Sequence, residues 1–168
     1  GALTGEGDVS LAHGQENSFS VGVTAAASIS GALFEDPANT GVYQSGYSLL
    51  EGFTVQAVND AGEIVAAAQT DAEGRYQLTQ LVPGSYTVHF LLKDPYVAAP
   101  YAADQTVETM TNHILSQSPA YGETEPVALA SGQQAEHLDG AVFRAGVVSG
   151  SVLIMPDGAS AQGGLAGA

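Results

Sequence analysis

An alternation of period two constrains this chain more than any other feature. In Ser85–Leu92 (SYTVHFLL), Tyr86, Val88, Phe90 and Leu92 fall on one face and Ser85, Thr87 and His89 on the other. Successive side chains of a β-strand point to opposite faces, so such a run has one buried side and one solvated side. Phe53–Val58 repeats the pattern with Phe53, Val55 and Ala57. Ile64–Thr70, Tyr76–Leu81, Ile29–Phe34 and Leu138–Phe143 read the same way. Turn residues bound these runs. Asn59-Asp60-Ala61-Gly62 predicts a tight hairpin with Gly62 at positive φ, and Asp71-Ala72-Glu73-Gly74 predicts a second, its Asp71 carboxylate accepting turn amides. Pro83-Gly84 reads as a turn pair, with Gly84 at the left-handed corner. Short strands at this spacing, with no helical pattern between them, predict an antiparallel β-sandwich. Val107–Leu115 has no clear period and is read as loop.

Composition narrows the function classes. A chain of 168 residues buries enough surface to fold without a staple, and the absence of Cys excludes a disulfide. Asp and Glu number 18 against 3 Lys and Arg, a net charge of −15. Phosphate-backbone binding is driven by cationic side chains that displace counterions, so a nucleic-acid groove is excluded. The same charge argues against docking on an anionic membrane. No apolar run is long enough to span a bilayer, and GALTGEGDVS has neither the basic nor the apolar region of a signal peptide.

The chain also resembles itself. Residues 9–15 (VSLAHGQ) match 127–133 (VALASGQ), Ser30-Gly31 matches Ser149-Gly150, and Pro37 matches Pro156. The offset is 118 residues at first and 119 afterwards. Identical positions are Val9, Leu11, Ala12, Gly14, Gln15, Val23, Ala26, Ser30, Gly31 and Pro37. The expected organisation is one complete unit at 28–146, closing strands of a preceding unit at 1–27, and the opening strand of a following unit at 147–168. A piece of sandwich leaves an open edge, so both flanks call for partners: neighbouring units or identical subunits.

The stretch SISGALFEDP, followed by LEGFTVQAVNDAGEIVAAAQTDAEGRYQLTQLVPGSYTVHF, resembles the B-type domains of Gram-positive surface proteins. These are the B repeats of serine-aspartate repeat adhesins, those of collagen adhesins, and the related carboxypeptidase-regulatory-like modules. Thr70-Asp71, Gly74, Tyr76, Leu81, Pro83-Gly84, Tyr86 and Val88 carry the match, and Asp139-Gly140-Ala141 resembles the family's closing D-x-G step. The resemblance implies an immunoglobulin-like or prealbumin-like sandwich of about seven strands on an extracellular or cell-surface protein. Some relatives hold a Lys–Asn isopeptide bond from a first-strand lysine. Ser28–Phe34 has no Lys, and the single Lys is Lys93, so no such bond is expected. Others hold Ca²⁺ in an acid-rich loop after the first strand. Here that loop offers only Glu35, Asp36 and Glu51, too few for a cation that takes six to eight oxygens. Inter-unit junctions are a second place for calcium; no cofactor is otherwise expected.

No catalytic constellation emerges, and an enzyme is not expected. His13, His89, His113 and His137 are scattered, whereas nucleophilic catalysis needs a base beside its nucleophile. His89 falls on a polar strand face and is read as solvated. Glu35-Asp36 and Glu123/Glu125 are loop acids, not carboxylates opposed across a cleft. The expected function is therefore structural: a repeat module of a stalk, fibre or filament. The alternative is a ligand-binding module for glycans or host proteins, with Tyr43, Tyr47, Tyr96, Tyr101 and Tyr121 as stacking platforms.

Overall fold

A computed structural model describes residues 22–102, 110–146 and 149–150. These residues contain eleven strands and no helix. Two sheets face each other. In the first, β1 (Ala27–Glu35) is central. β4 (Arg75–Leu81) lies antiparallel along one side of it. On its other side β10 (Gln134–Ala135) pairs with its beginning and β11 (Gly140–Arg144) with its end, both parallel. β6 (Tyr96–Ala98) closes the far side of β11. In the second sheet β3 (Ile64–Gln69), β2 (Thr54–Asn59) and β5 (Gly84–Leu91) form an antiparallel meander. Beyond β5 lie β8 (Tyr121–Thr124) and β9 (Val127–Leu129), with β7 (Ile114–Gln117) outside β8.

The all-β sandwich is therefore present. It has more strands than the expected seven, because several are only two to four residues long. Two of its pairings are parallel rather than antiparallel. Between β10 and β11 the chain stays along the same edge of β1 and leans onto its face at Gly31, and this contact decides a residue type. A Cβ on Gly31 would lie 2.3 Å from the Leu138 carbonyl oxygen, so only glycine fits beneath it.

Alternation along β1, β2, β4 and β5 fills the space between the sheets. Ile29, Leu33, Val55, Leu78, Val88 and Phe90 are almost wholly buried there. Tyr76 and Phe90 meet edge to face at 5.5 Å between ring centres. Exposed counterparts face water, so burial follows the period of two.

The turns follow the expected chemistry with one exception. The Asn59 side-chain oxygen accepts the Ala61 and Glu63 amides at 3.0 and 2.9 Å, and Gly62 takes φ +79°. Asp71 accepts the Glu73 and Arg75 amides at 3.0 and 2.8 Å, and Gly74 sits at φ +67°. Buried Thr70 takes the Phe53 N–H at 2.9 Å through its hydroxyl. The exception is Pro83-Gly84. Gly84 is the first residue of β5, and the left-handed residue of this corner is Gln80, at φ 61°. The corner is held from a distance instead, by the Tyr86 hydroxyl donating to the Val82 carbonyl at 2.6 Å.

The loop reading of Val107–Leu115 also needs correction at its end. Residues 107–109 lie outside the described part, and Ile114 and Leu115 belong to β7. Ile114 is the only buried residue of that strand, and the register shifts around Leu115, so no alternation is visible in the sequence.

Candidate functional site

The acids singled out in the sequence do not converge. Glu35 and Asp36 are neighbours at the end of β1 and point in different directions. Glu35 pairs with the Arg144 guanidinium, Nε to Oε1 at 2.9 Å. Buried Asp36 turns inward, and its Oδ2 accepts the Thr40 and Gly41 amides, each at 2.6 Å. It organises the loop that follows β1, which is why a carboxylate stands there. Glu51 is exposed. Among the described residues no group of three or more His, Asp or Glu is arranged to hold a metal.

Of the five tyrosines, only Tyr43, Tyr47 and Tyr101 lie in loops; Tyr96 opens β6 and Tyr121 opens β8. Tyr43 meets Phe34 edge to face at 5.5 Å and Tyr47 at 6.0 Å, in a small second core completed by Ala99 and Ala141. Tyr96 meets Phe53 at 5.5 Å, and the Arg144 guanidinium lies 5.4 Å from the Tyr96 ring centre. Tyr121 stacks on His89, with 4.1 Å between ring centres and 9° between planes. Tyr101 is the most exposed of the five. Tyr43, Tyr47, Tyr96 and Tyr121 each pack against another ring.

His89 lies on the outer face, as its position in the alternation requires, but it is not a freely solvated ring. Tyr121 covers one side, and Nε2 stands 3.4 Å from the Glu123 carboxylate. Burial lowers its pKa and Glu123 opposes that shift. Glu123 is further engaged by the Ser116 hydroxyl at 2.7 Å, whereas Glu125 is exposed. His113 and His137 are brought near Asp139, and His13 lies outside the described residues.

Asp139 is the group whose importance the sequence did not disclose. It is buried where the chain leans onto β1, and its Oδ1 accepts the Ala32 N–H at 2.8 Å. Oδ2 is buried with no hydrogen-bond partner. Burial raises its pKa, against the Ala32 amide and the nearby His113, His137 and Thr111 amide. Tyr76 beneath it donates to the Leu138 carbonyl at 2.6 Å, and burial together with Asp139 raises the phenol pKa. The arrangement buttresses the contact between Leu138 and β1. The Tyr76 hydroxyl is committed to a carbonyl and one carboxylate oxygen to an amide.

The geometry now explains the sequence pattern. Thr70, Asp71, Gly74 and Tyr76 together make the turn between β3 and β4 and its anchor in the core. A family model described as SdrD B-like domain matches residues 27–142, which begin at β1 and end within β11. The chain belongs to that family. As an SdrD B-like domain it shares 26% identity over 80 residues with serine-aspartate repeat-containing protein D of Staphylococcus aureus strains Newman and MW2. The match covers 48% of this chain and 6% of that protein's length. Among solved structures it is similar to GBS52, the minor pilin of Streptococcus agalactiae, at TM-score 0.49 and 11% identity, over 78% of this chain and 50% of the other. The shaft pilin SpaA of Lactobacillus rhamnosus GG matches at TM-score 0.39 and 10% identity, over 73% and 51% of the two chains. In this SdrD B-like domain Lys93 follows β5, where its Nζ donates to the Gly52 carbonyl and lies 4.8 Å from the Phe53 ring centre.

Proposed function

We propose that this SdrD B-like domain is a structural repeat of an extracellular surface protein or fibre, in which neighbouring units complete one another's strand edges. One observation carries the reading. The residues repeated in the two flanks are ones that the complete unit needs for its fold. Gly132 stands at φ +70° and is matched by Gly14. Buried Leu129 is matched by Leu11. Gln133, whose side chain accepts the Ala130 N–H at 2.8 Å, is matched by Gln15. Val142 is fully buried in β11, whereas its counterpart Val23 is 76% exposed. Gly31 has no room for a Cβ, and its counterpart Gly150 has nothing within 4 Å of one. Val23 and Gly150 thus keep residue types that their present surroundings do not demand and that a complete unit does. Common strand patterning accounts for matched apolar positions but not for matched glycines. The domain boundaries at 27/28 and 146/147 and the surface location belong to the same reading, and the family match to SdrD B-like domains supports the surface location.

Size measurement in solution tests it. The 168-residue chain and versions lacking 1–27 or 147–168 are compared by light scattering. Flanks that seek partners make the whole chain associate and each truncation change its size. Identical monomers in all three abolish the shared-edge idea. The packed tyrosines favour this structural role over glycan stacking, so Tyr43→Ala is expected to loosen the loop after β1 rather than remove a ligand.

A further inference from the structure

The two sides of the sandwich are finished differently. On one side the edge strands β6 and β7 are clasped by side chains. Gln117 Oε1 accepts the Ala98 N–H at 2.8 Å, and Asn112 Nδ2 donates to the Ala99 and Pro100 carbonyls at 2.7 and 3.1 Å. On the other side β3 pairs with β2 alone, and β4 of the first sheet runs close by without pairing with it. The Thr70 N–H donates to the Phe53 carbonyl. By the alternation of an antiparallel ladder, the amides of Ala66 and Ala68 then face β2, and those of Ala67 and Gln69 face outward. Natural edges are guarded by lysine, proline or inward-pointing charge. β3 reads IVAAAQ and has none of these. The neighbouring edge, β4, has Arg75 at its start and left-handed Gln80 near its end.

The surroundings of β3 specify the occupant. Its centre is apolar, with Ile64 and Val65 largely exposed. A shallow groove of about 430 Å³ lined by Val65, Val82 and Pro83, with Asp60 on it, adjoins the edge. Asp60 and Glu63 stand before β3, Asp71 and Glu73 after it, and Arg75 offsets one of these four charges. A second copy is a poor occupant. Paired in either direction, β3 against β3 sets acids beside acids at both ends, in a chain of net charge −15. We propose that β3 is a docking edge for an extended segment of a different protein, apolar at its centre and basic at both ends, that adds a strand to the second sheet. This goes beyond the repeat-module reading and does not rest on it.

Two synthetic peptides test the proposal on the 168-residue chain: alternating Thr and Val flanked by lysines, and the same core flanked by glutamates. Amide hydrogen exchange and chemical shifts report where they bind. The lysine peptide is expected to protect the Ala67 and Gln69 amides, the glutamate peptide to bind at least ~10-fold more weakly, and the difference to shrink in high salt. Ala67→Pro removes an outward N–H without touching the ladder to β2, a placement that edge strands tolerate. It should abolish protection while thermal unfolding stays cooperative. Asp60→Lys with Glu73→Lys should reverse the peptide preference, a readout that holds even if Ala67→Pro does not fold. Equal binding of both peptides, protection mapping to β4 or β7, or dimerisation of the chain through β3 would each overturn the proposal.

Discussion

Asp139 shows how one side chain's cost depends on its surroundings. A carboxylate whose folded pKa lies above the unfolded value of 3.8 binds its proton more tightly in the folded state. Its stabilising contribution is complete below pH 3.8 and is lost as pH rises through the folded pKa. Above that window a buried charge remains with one unsatisfied oxygen. Asp139→Asn keeps an acceptor for the Ala32 amide and removes the charge. The variant should match the wild type at pH 3 and exceed it at pH 7 by about 1–3 kcal/mol, the range for an unsatisfied buried polar group. Thermal melts across pH check this, and a gap that does not widen with pH refutes it. Gly31→Ala should act oppositely, because its Cβ would lie 2.3 Å from the backbone carbonyl oxygen of Leu138. A loss of about 1–3 kcal/mol is expected at all pH values, as for other overpacked sites. Neither effect was legible beforehand. The sequence shows Asp139 beside Gly140, but not that the chain there leans onto the central strand.

At the scale of elements, legibility followed length. β1 to β5 and β11 hold enough residues for an alternation to show, and their hairpins announce themselves through Asn59, Gly62, Asp71 and Gly74. β6 to β10 are two to four residues long and carry no measurable period. Their positions are decided by distant partners: Gln117 reaching Ala98, and the Thr124 hydroxyl accepting the Val88 N–H at 3.1 Å. The left-handed corner was misplaced onto Gly84 for a related reason. Residue type favours glycine, but the pull of Tyr86 on Val82 and the bulged start of β1 against β4 place the strained residue at Gln80. Two variants separate local from distant control. Asp71→Ala removes both side-chain bonds that shape its turn and should cost about 1–2 kcal/mol in denaturant melts. Gln117→Ala should cost about 1 kcal/mol and, more tellingly, speed exchange of the Ala98 amide, because it opens the one clasped side. If Ala98 exchange is unaltered, the clasp does not hold that side closed.

For the whole molecule, the offset of 119 residues fixes how repeats would join. β11 ends at Arg144, and the counterpart of Ala27, where β1 opens, is Gly146. One residue, Ala145, lies between, and its N–H already donates to the Pro95 carbonyl at 2.8 Å. The other junction is held from the opposite direction. Ala25, the counterpart of Arg144, donates its N–H to the Ser131 hydroxyl oxygen at 2.8 Å, and its carbonyl accepts the Gly132 amide at 2.9 Å. The same residue position would then end one unit and anchor on the next. A junction without a free residue transmits orientation, whereas a flexible linker of n residues spreads its ends over roughly 5–6 Å times the square root of n. The −15 charge works in the same direction by opposing folding back at low salt. If two such units are linked at this offset, spin labels on the pair should report a narrow distance distribution that salt does not broaden. Inserting five Gly/Ser residues between Ala145 and Gly146 should widen it by several ångströms and make it salt-dependent. Equal widths before and after insertion would mean that the repeats already move independently, and a stalk built from them would be a flexible string instead of a rod.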